Sequence, residues 1–141
     1  MNPEILNYIP QRAPFIMIGD VISADETATL TSLEITADNL FVSNGVFTEP
    51  GLIENMAQTA GAGTGYRAKK EGKPQPKGYI AALKSVNIIE LPKVNDTITT
   101  ETTFLQTLLS FHLVRGKVTV GDKEIANCEF KIFVYTDQPA Q

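Results

Sequence analysis

The spacing of apolar and polar positions changes character several times along the chain, and each change marks an element. FIMIGDVISA, residues 15–24, is rich in Ile and Val and predicts a strand. TATLTSLEIT, residues 27–36, follows as its hairpin partner, with Leu30, Ser32 and Glu34 on one face and Thr31, Leu33 and Ile35 on the other. Ahead of them, residues 3–8 have room for one short helical turn before Pro10 and Pro14. Residues 37–48, with Asn39, Asn44 and Gly45 as turn formers, read as a loop.

From Pro50 to Lys70 nothing forces an end, and the spacing predicts a helix of roughly six turns. Pro50 suits a first turn, Thr48 or Glu49 can cap, and Arg67, Lys69 and Lys70 complement the C-terminal end of the dipole. Its middle is rich in Ala and Gly, and each Gly costs about 1 kcal/mol of helix propensity against Ala. Close approach of a sheet is the expected compensation, with Ala60, Gly61 and Gly65 at the contact, so that Gly61→Leu should overpack it.

EGKPQPKG, residues 71–78, is a loop, and four β-rich stretches follow at 78–89, 97–108, 109–120 and 123–136. LPKVND and VGDKE are turns between them, the break near Leu109 and Ser110 is a tight turn or a bulge, and TDQPAQ should fray. Two strands, one long helix and four strands make an α+β order.

At 141 residues with 43% hydrophobic content, a single domain over 1–141 is expected. A net charge of −4 with interspersed signs argues against nucleic acid or an anionic membrane surface as partner. MNPEILNYIPQ has neither the basic start nor the apolar core of a signal peptide, and no apolar run reaches membrane-spanning length, so a cytoplasmic protein is expected. The single cysteine, Cys128, reads as a packed strand residue, and neither a metal cluster nor a cofactor motif is present.

IPQRAPFIMIGDV resembles the opening of the β-hydroxyacyl-acyl-carrier-protein dehydratases, in which Leu-Pro-His-Arg-x-Pro-Phe leads into the first strand. GLIENMAQTAG resembles their central helix, with a Glu followed four residues later by a Gln, and the element order matches over nearly the whole chain. The resemblance implies a hot-dog fold, an antiparallel sheet wrapped around one long central helix, and usually a dimer. It also implies that an acyl thioester lies at the subunit interface between the helix acid of one subunit and a His of a Gly-His-Phe-Pro loop of the other.

The acid maps onto Glu54 and the following Gln onto Gln58. The loop maps onto Gly45, Val46 and Phe47, so Val46 stands where the family has its catalytic His, and residues 37–53 contain no His. The segment from there to the acid is also several residues shorter than in the catalytic members. Dehydration needs a base at the carbon beside the carbonyl and an acid for the departing hydroxyl, and here half of the usual dyad is missing.

Glu54 sits among Leu52, Ile53, Met56 and Ala57, where an acid reads as a functional candidate, although complementing the helix N-terminus is the plainer alternative. Asn44 and Asn55 are neutral amides able to bind a carbonyl or orient Glu54, and Gly51 could offer a backbone N–H to a thioester oxygen. His112 lies on a strand, where packing is its expected role. Arg67, Lys69, Lys70, Lys73 and Lys77 crowd one segment, as helix-end charges or as a docking patch for an acidic carrier protein.

Three functions follow. The first is binding of an acyl thioester, on acyl-carrier protein or coenzyme A, with dehydratase-like chemistry at Glu54. The second is a thioesterase using Glu54 alone. The third is a non-catalytic subunit, homodimeric or paired with a catalytic homologue.

Overall fold

The computed structural model describes residues 1–109 and 111–135; Ser110 and the tail 136–141, for which a turn and fraying were expected, lie outside the described residues. A short 3₁₀ helix, Pro3–Asn7, precedes β1 (Asp20–Ala24), β2 (Ala28–Glu34), β3 (Val42–Ser43) and β4 (Val46–Phe47). The helix α1 (Glu49–Lys70) comes next, then β5 (Lys77–Ile88), β6 (Thr97–Leu108), β7 (Phe111–Val120) and β8 (Lys123–Tyr135). Six strands form one antiparallel sheet in the order β1-β2-β6-β7-β8-β5, and α1 lies across its concave face. This is the hot-dog arrangement that the element order implies.

Alternation in β6 and β7 turns Ile98, Thr100, Thr102, Val114, Gly116 and Val118 toward the helix. Leu52, Met56 and Ala60 of α1 meet them in a cluster with Phe47, Ile125, Cys128 and Phe130. The contact is close on both sides. A Cβ on Gly116 would stand 2.7 Å from Met56 Sδ, and one on Gly63 of α1 would overlap the Thr29 hydroxyl of β2. Missing side chains therefore let backbone and sheet approach, which offsets the low helix propensity.

Three expectations need correction. Gly61 is not at the helix–sheet contact: a Cβ there would meet nothing within 4 Å, whereas Gly65 packs against the Tyr8 carbonyl and Gly63 against the sheet. The first strand begins at Asp20 instead of Phe15, because helix side chains take the hydrogen bonds a ladder would use. Gln58 Oε1 accepts from Met17 N–H at 2.7 Å and Asn55 Nδ2 donates to Met17 C=O at 2.7 Å. The stretch 37–48 is not wholly loop: Asn44 (φ 53°) and Gly45 (φ 79°) make the two-residue turn of the β3–β4 hairpin, the left-handed pair such turns demand.

Leu109 has φ 53° and is fully exposed between β6 and β7, so the chain turns there. In β5, register shifts occur between Ile80 and Ala82 and between Lys84 and Asn87. Among the described residues β5 pairs only with β8, and its segment exposes Tyr79, Leu83, Val86 and, just beyond its end, Ile89. Among the described residues no helix is long and apolar enough to cross a membrane.

Candidate functional site

The N-terminal end of α1 is set by Thr48, extended at φ −82° and ψ 168°, whose hydroxyl donates to Phe41 C=O at 2.7 Å instead of capping the helix. One turn later the spacing 54, 57, 58, 61, 64 puts Glu54, Ala57, Gln58, Gly61 and Thr64 on one flank. This flank forms one wall of a groove of about 280 Å³. The opposite side comes from Lys77, Tyr79 and Ile80 of β5, Phe104 of β6, Ile132 and Val134 of β8, and Gln11 of the opening loop, among others. From Glu54 to Thr64 the helix advances about 15 Å. The groove lining is mixed, with Glu54, Gln58, Gln11, Thr64 and Lys77 among largely apolar residues.

Glu54 is half-buried, and its carboxylate is held by the residue one turn on: Gln58 Nε2 donates to Glu54 Oε1 at 2.9 Å. The same nitrogen donates to Phe15 C=O at 2.8 Å, and Gln58 Oε1 accepts from Met17 N–H. Both amide hydrogens and the amide oxygen are thus engaged by the protein, in a residue only 2% exposed. Gln58 orients the acid, and its hydrogen-bonding capacity is not left for a ligand.

The other residues singled out from sequence are not gathered here. Asn55 points into the core, where its amide donates to Met17 C=O and accepts from Thr100 Oγ1 at 2.5 Å, so it fixes the helix on the sheet and does not line the groove. Gly51 is buried against the hairpin, and a Cβ would stand 2.6 Å from the Phe47 ring. Phe47 is itself a fully buried core residue. Asn44 and Gly45 are exposed at the hairpin tip, and Val46 bridges to Lys93. None of these lines the groove of its own chain.

His112 packs against Phe104, a groove residue, but does not itself line the groove. Its Nδ1 lies 3.0 Å from Thr107 Oγ1, its ring 5.0 Å from that of Phe104, and the Arg67 guanidinium covers the Phe104 ring at 5.0 Å. About 20 Å of helix separates position 54 from position 67, and no hydrogen bond links this histidine to Glu54 among the described residues. Burial, and then the charge of Arg67, lower its pKa. Cys128 is packed beside Met56, and burial pushes its thiol up to about 11. Among the described residues no group of His, Cys, Asp or Glu could hold a metal.

Gln11, Gly61 and Phe104 are groove residues that sequence reasoning did not assign to the site. Only Gln11 carried a signal, since it occupies the place of a His in the opening motif.

A family model described as ApeP-like, ApeP dehydratase, matches residues 3–141. The 3-hydroxyacyl-[acyl-carrier-protein] dehydratase FabZ of Rhizobium johnstonii is 36% identical over 88 residues, 58% of this chain and 55% of the relative. The chain thus spans about half the length of the curated relatives first matched. FabZ of Ruminiclostridium cellulolyticum is 26% identical over 136 residues, 92% of this chain and 94% of that protein. In structure the chain resembles the dehydratase heterocomplex ApeI:P from Xenorhabdus doucetiae with a TM-score of 0.87 at 16% identity, covering 95% of this chain and 91% of that one.

Proposed function

Because the chain belongs to the ApeP-like dehydratase family, we propose that it binds 3-hydroxyacyl thioesters of an acyl-carrier protein and takes part in their dehydration. The observation that carries this reading is the groove itself: one carboxyl group, Glu54, oriented by Gln58 in a cleft lined largely by apolar residues. In that setting Glu54 delivers a proton to the 3-hydroxyl as it leaves as water, while a base removes a proton from carbon 2 and the double bond forms between carbons 2 and 3.

Among the described residues the groove lining holds no histidine, and His112 packs against the groove residue Phe104 without lining the groove itself. We therefore assign the base to a second subunit, a homologue that retains the family His, which approaches from the open side of the groove. The neighbour from Xenorhabdus doucetiae is a component of a dehydratase heterocomplex, which favours this pairing over a homodimer. The apolar β5 edge, with Tyr79, Leu83 and Val86 exposed, supports association of some kind. Within this reading the exposed hairpin tip, Asn44 and Gly45, acts across the interface, and the protein works in the cytoplasm as one domain, its lone thiol buried.

The test is to mix the protein, alone and with a His-bearing homologue, with 3-hydroxyacyl and saturated acyl thioesters of a carrier protein. Enoyl product from the mixture and none from this chain alone is the expected result. Glu54→Gln in this chain then lowers turnover about 10²-fold to 10⁴-fold while binding of a non-reactive analogue persists. Release of free carrier thiol by the protein alone would replace this reading with hydrolysis.

A further inference from the structure

We propose that Gln11 is the residue that recognises the 3-hydroxyl, so that the groove prefers hydroxylated acyl chains over saturated or enoyl ones. The inference rests on the reading of the groove as an acyl-thioester site.

Gln11 lines the same groove as Glu54 and Gln58, and its Oε1 is buried without a hydrogen-bond partner among the described residues. A buried polar atom left unpaired is costly, and natural proteins rarely tolerate one without a purpose. Its neighbours do not relieve it. Gln58 spends both amide hydrogens on Phe15 C=O and Glu54, and the Arg12 guanidinium is clamped onto the carbonyls of Leu6, Ile9 and Gln11 itself. Those same Arg12 bonds tie down the backbone that presents Gln11, so the side chain is offered from a fixed position while its amide stays uncommitted.

A 3-hydroxyl has the chemistry to complete this arrangement. It carries one donor and two acceptor sites, so it can give its hydrogen to Gln11 Oε1 and still accept a hydrogen bond. With the amide turned the other way, the same hydroxyl accepts from Nε2, so the recognition holds for either orientation. A saturated or enoyl chain has no donor or acceptor at that carbon, and its entry leaves the Gln11 amide unpaired. Sites that hydrogen-bond a substrate hydroxyl discriminate against analogues lacking it far better than apolar pockets do.

Calorimetric titration of the full chain with two non-reactive pantetheine amides, one 3-hydroxydecanoyl and one decanoyl, tests this. The wild type should bind the hydroxylated analogue at least about tenfold more tightly, the order expected for one satisfied buried acceptor. Gln11→Leu should lose that preference and keep its affinity for the decanoyl analogue, and Gln11→Met, closer in shape, should do the same if the leucine variant folds poorly. A preference unchanged in these variants, or a wild type indifferent to the hydroxyl, overturns the role of Gln11 and leaves the groove reading intact. Failure of both analogues to bind the wild type overturns both.

Discussion

Alanine at two glycines of α1, only two positions apart, should act in opposite directions. At Gly61 an added Cβ meets nothing within 4 Å, so Gly61→Ala gains only helix propensity, about 0.8–1 kcal/mol. At Gly63 the same Cβ overlaps the Thr29 hydroxyl and stands 3.0 Å from Thr29 Cβ. Thr29 is 2% exposed on a central part of the sheet, and a β-branched side chain there has no free rotamer to swing into. Overpacking of this kind costs about 1–3 kcal/mol, which outweighs the propensity gain and leaves a net loss near 1 kcal/mol or more. For a chain of this size 1 kcal/mol moves Tm by roughly 3–4 °C. Thermal unfolding followed by circular dichroism, at equal protomer concentration, should therefore show Gly61→Ala a few degrees above wild type and Gly63→Ala a few degrees below. A further variant, Gly61→Leu, should hold its Tm and lose acyl-analogue binding, because its side chain enters the groove and not the core. Equal losses of Tm at 61 and 63 would show that both flanks of the helix are packed and would remove the groove.

Asn55→Ala leaves Met17 C=O and the Thr100 hydroxyl buried and unpaired, and should cost roughly 2–4 kcal/mol by denaturant titration, against about 1–3 for each such group before relaxation. His112 should titrate by NMR with a midpoint below the ordinary 6.5, and Arg67→Gln should raise the midpoint partway, since burial is the larger cause. Because the unfolded chain takes up this proton first, the contribution of His112 to stability falls as pH drops through 6.5 toward its folded value. Cys128, with its pKa near 11 and its sulfur buried, should resist a disulfide-exchange reagent at neutral pH until denaturant is added; prompt labelling of the folded protein would contradict the packing described.

Most of the strand and helix order was legible because each element has one dominant period. The strand predicted from 97 to 108 and the helix from 50 to 70 differ from the observed elements by a residue at most. Where the pattern misled, side chains distant in sequence decided the outcome. Ile16, Met17 and Ile18 have strand composition, yet Asn55 and Gln58, some forty residues away, take the Met17 peptide groups. Asn44 and Gly45 were legible as turn residues, but with only two strand residues on either side the hairpin had no pattern to show. The Glu54–Gln58 contact was legible from spacing, because residues four apart on a helix meet. Asn55 was misassigned because its neighbour in sequence points to the groove while it points, one position on, into the sheet. The different fates of Gly61 and Gly63 could not be read at all, since a glycine carries no polarity to reveal its direction.

Leu52 and Met56 interlock with the sheet, while the alanine and glycine positions of the helix bring few side chains to fix its seat. The bonds from Asn55 to Thr100 and Met17, from Thr59 to Thr31, and from Gln58 to Phe15 and Met17 act as indexing pins in that contact. A slip by one turn, about 5.4 Å, would shear all of them together, so intermediate seats are unavailable and the helix is either home or not. Position along the axis is thereby quantised, and the Glu54 carboxylate inherits that precision without contacting the sheet. Apolar residues elsewhere in the core are then free to drift in identity over evolutionary time, provided their summed volume holds and the few pins remain.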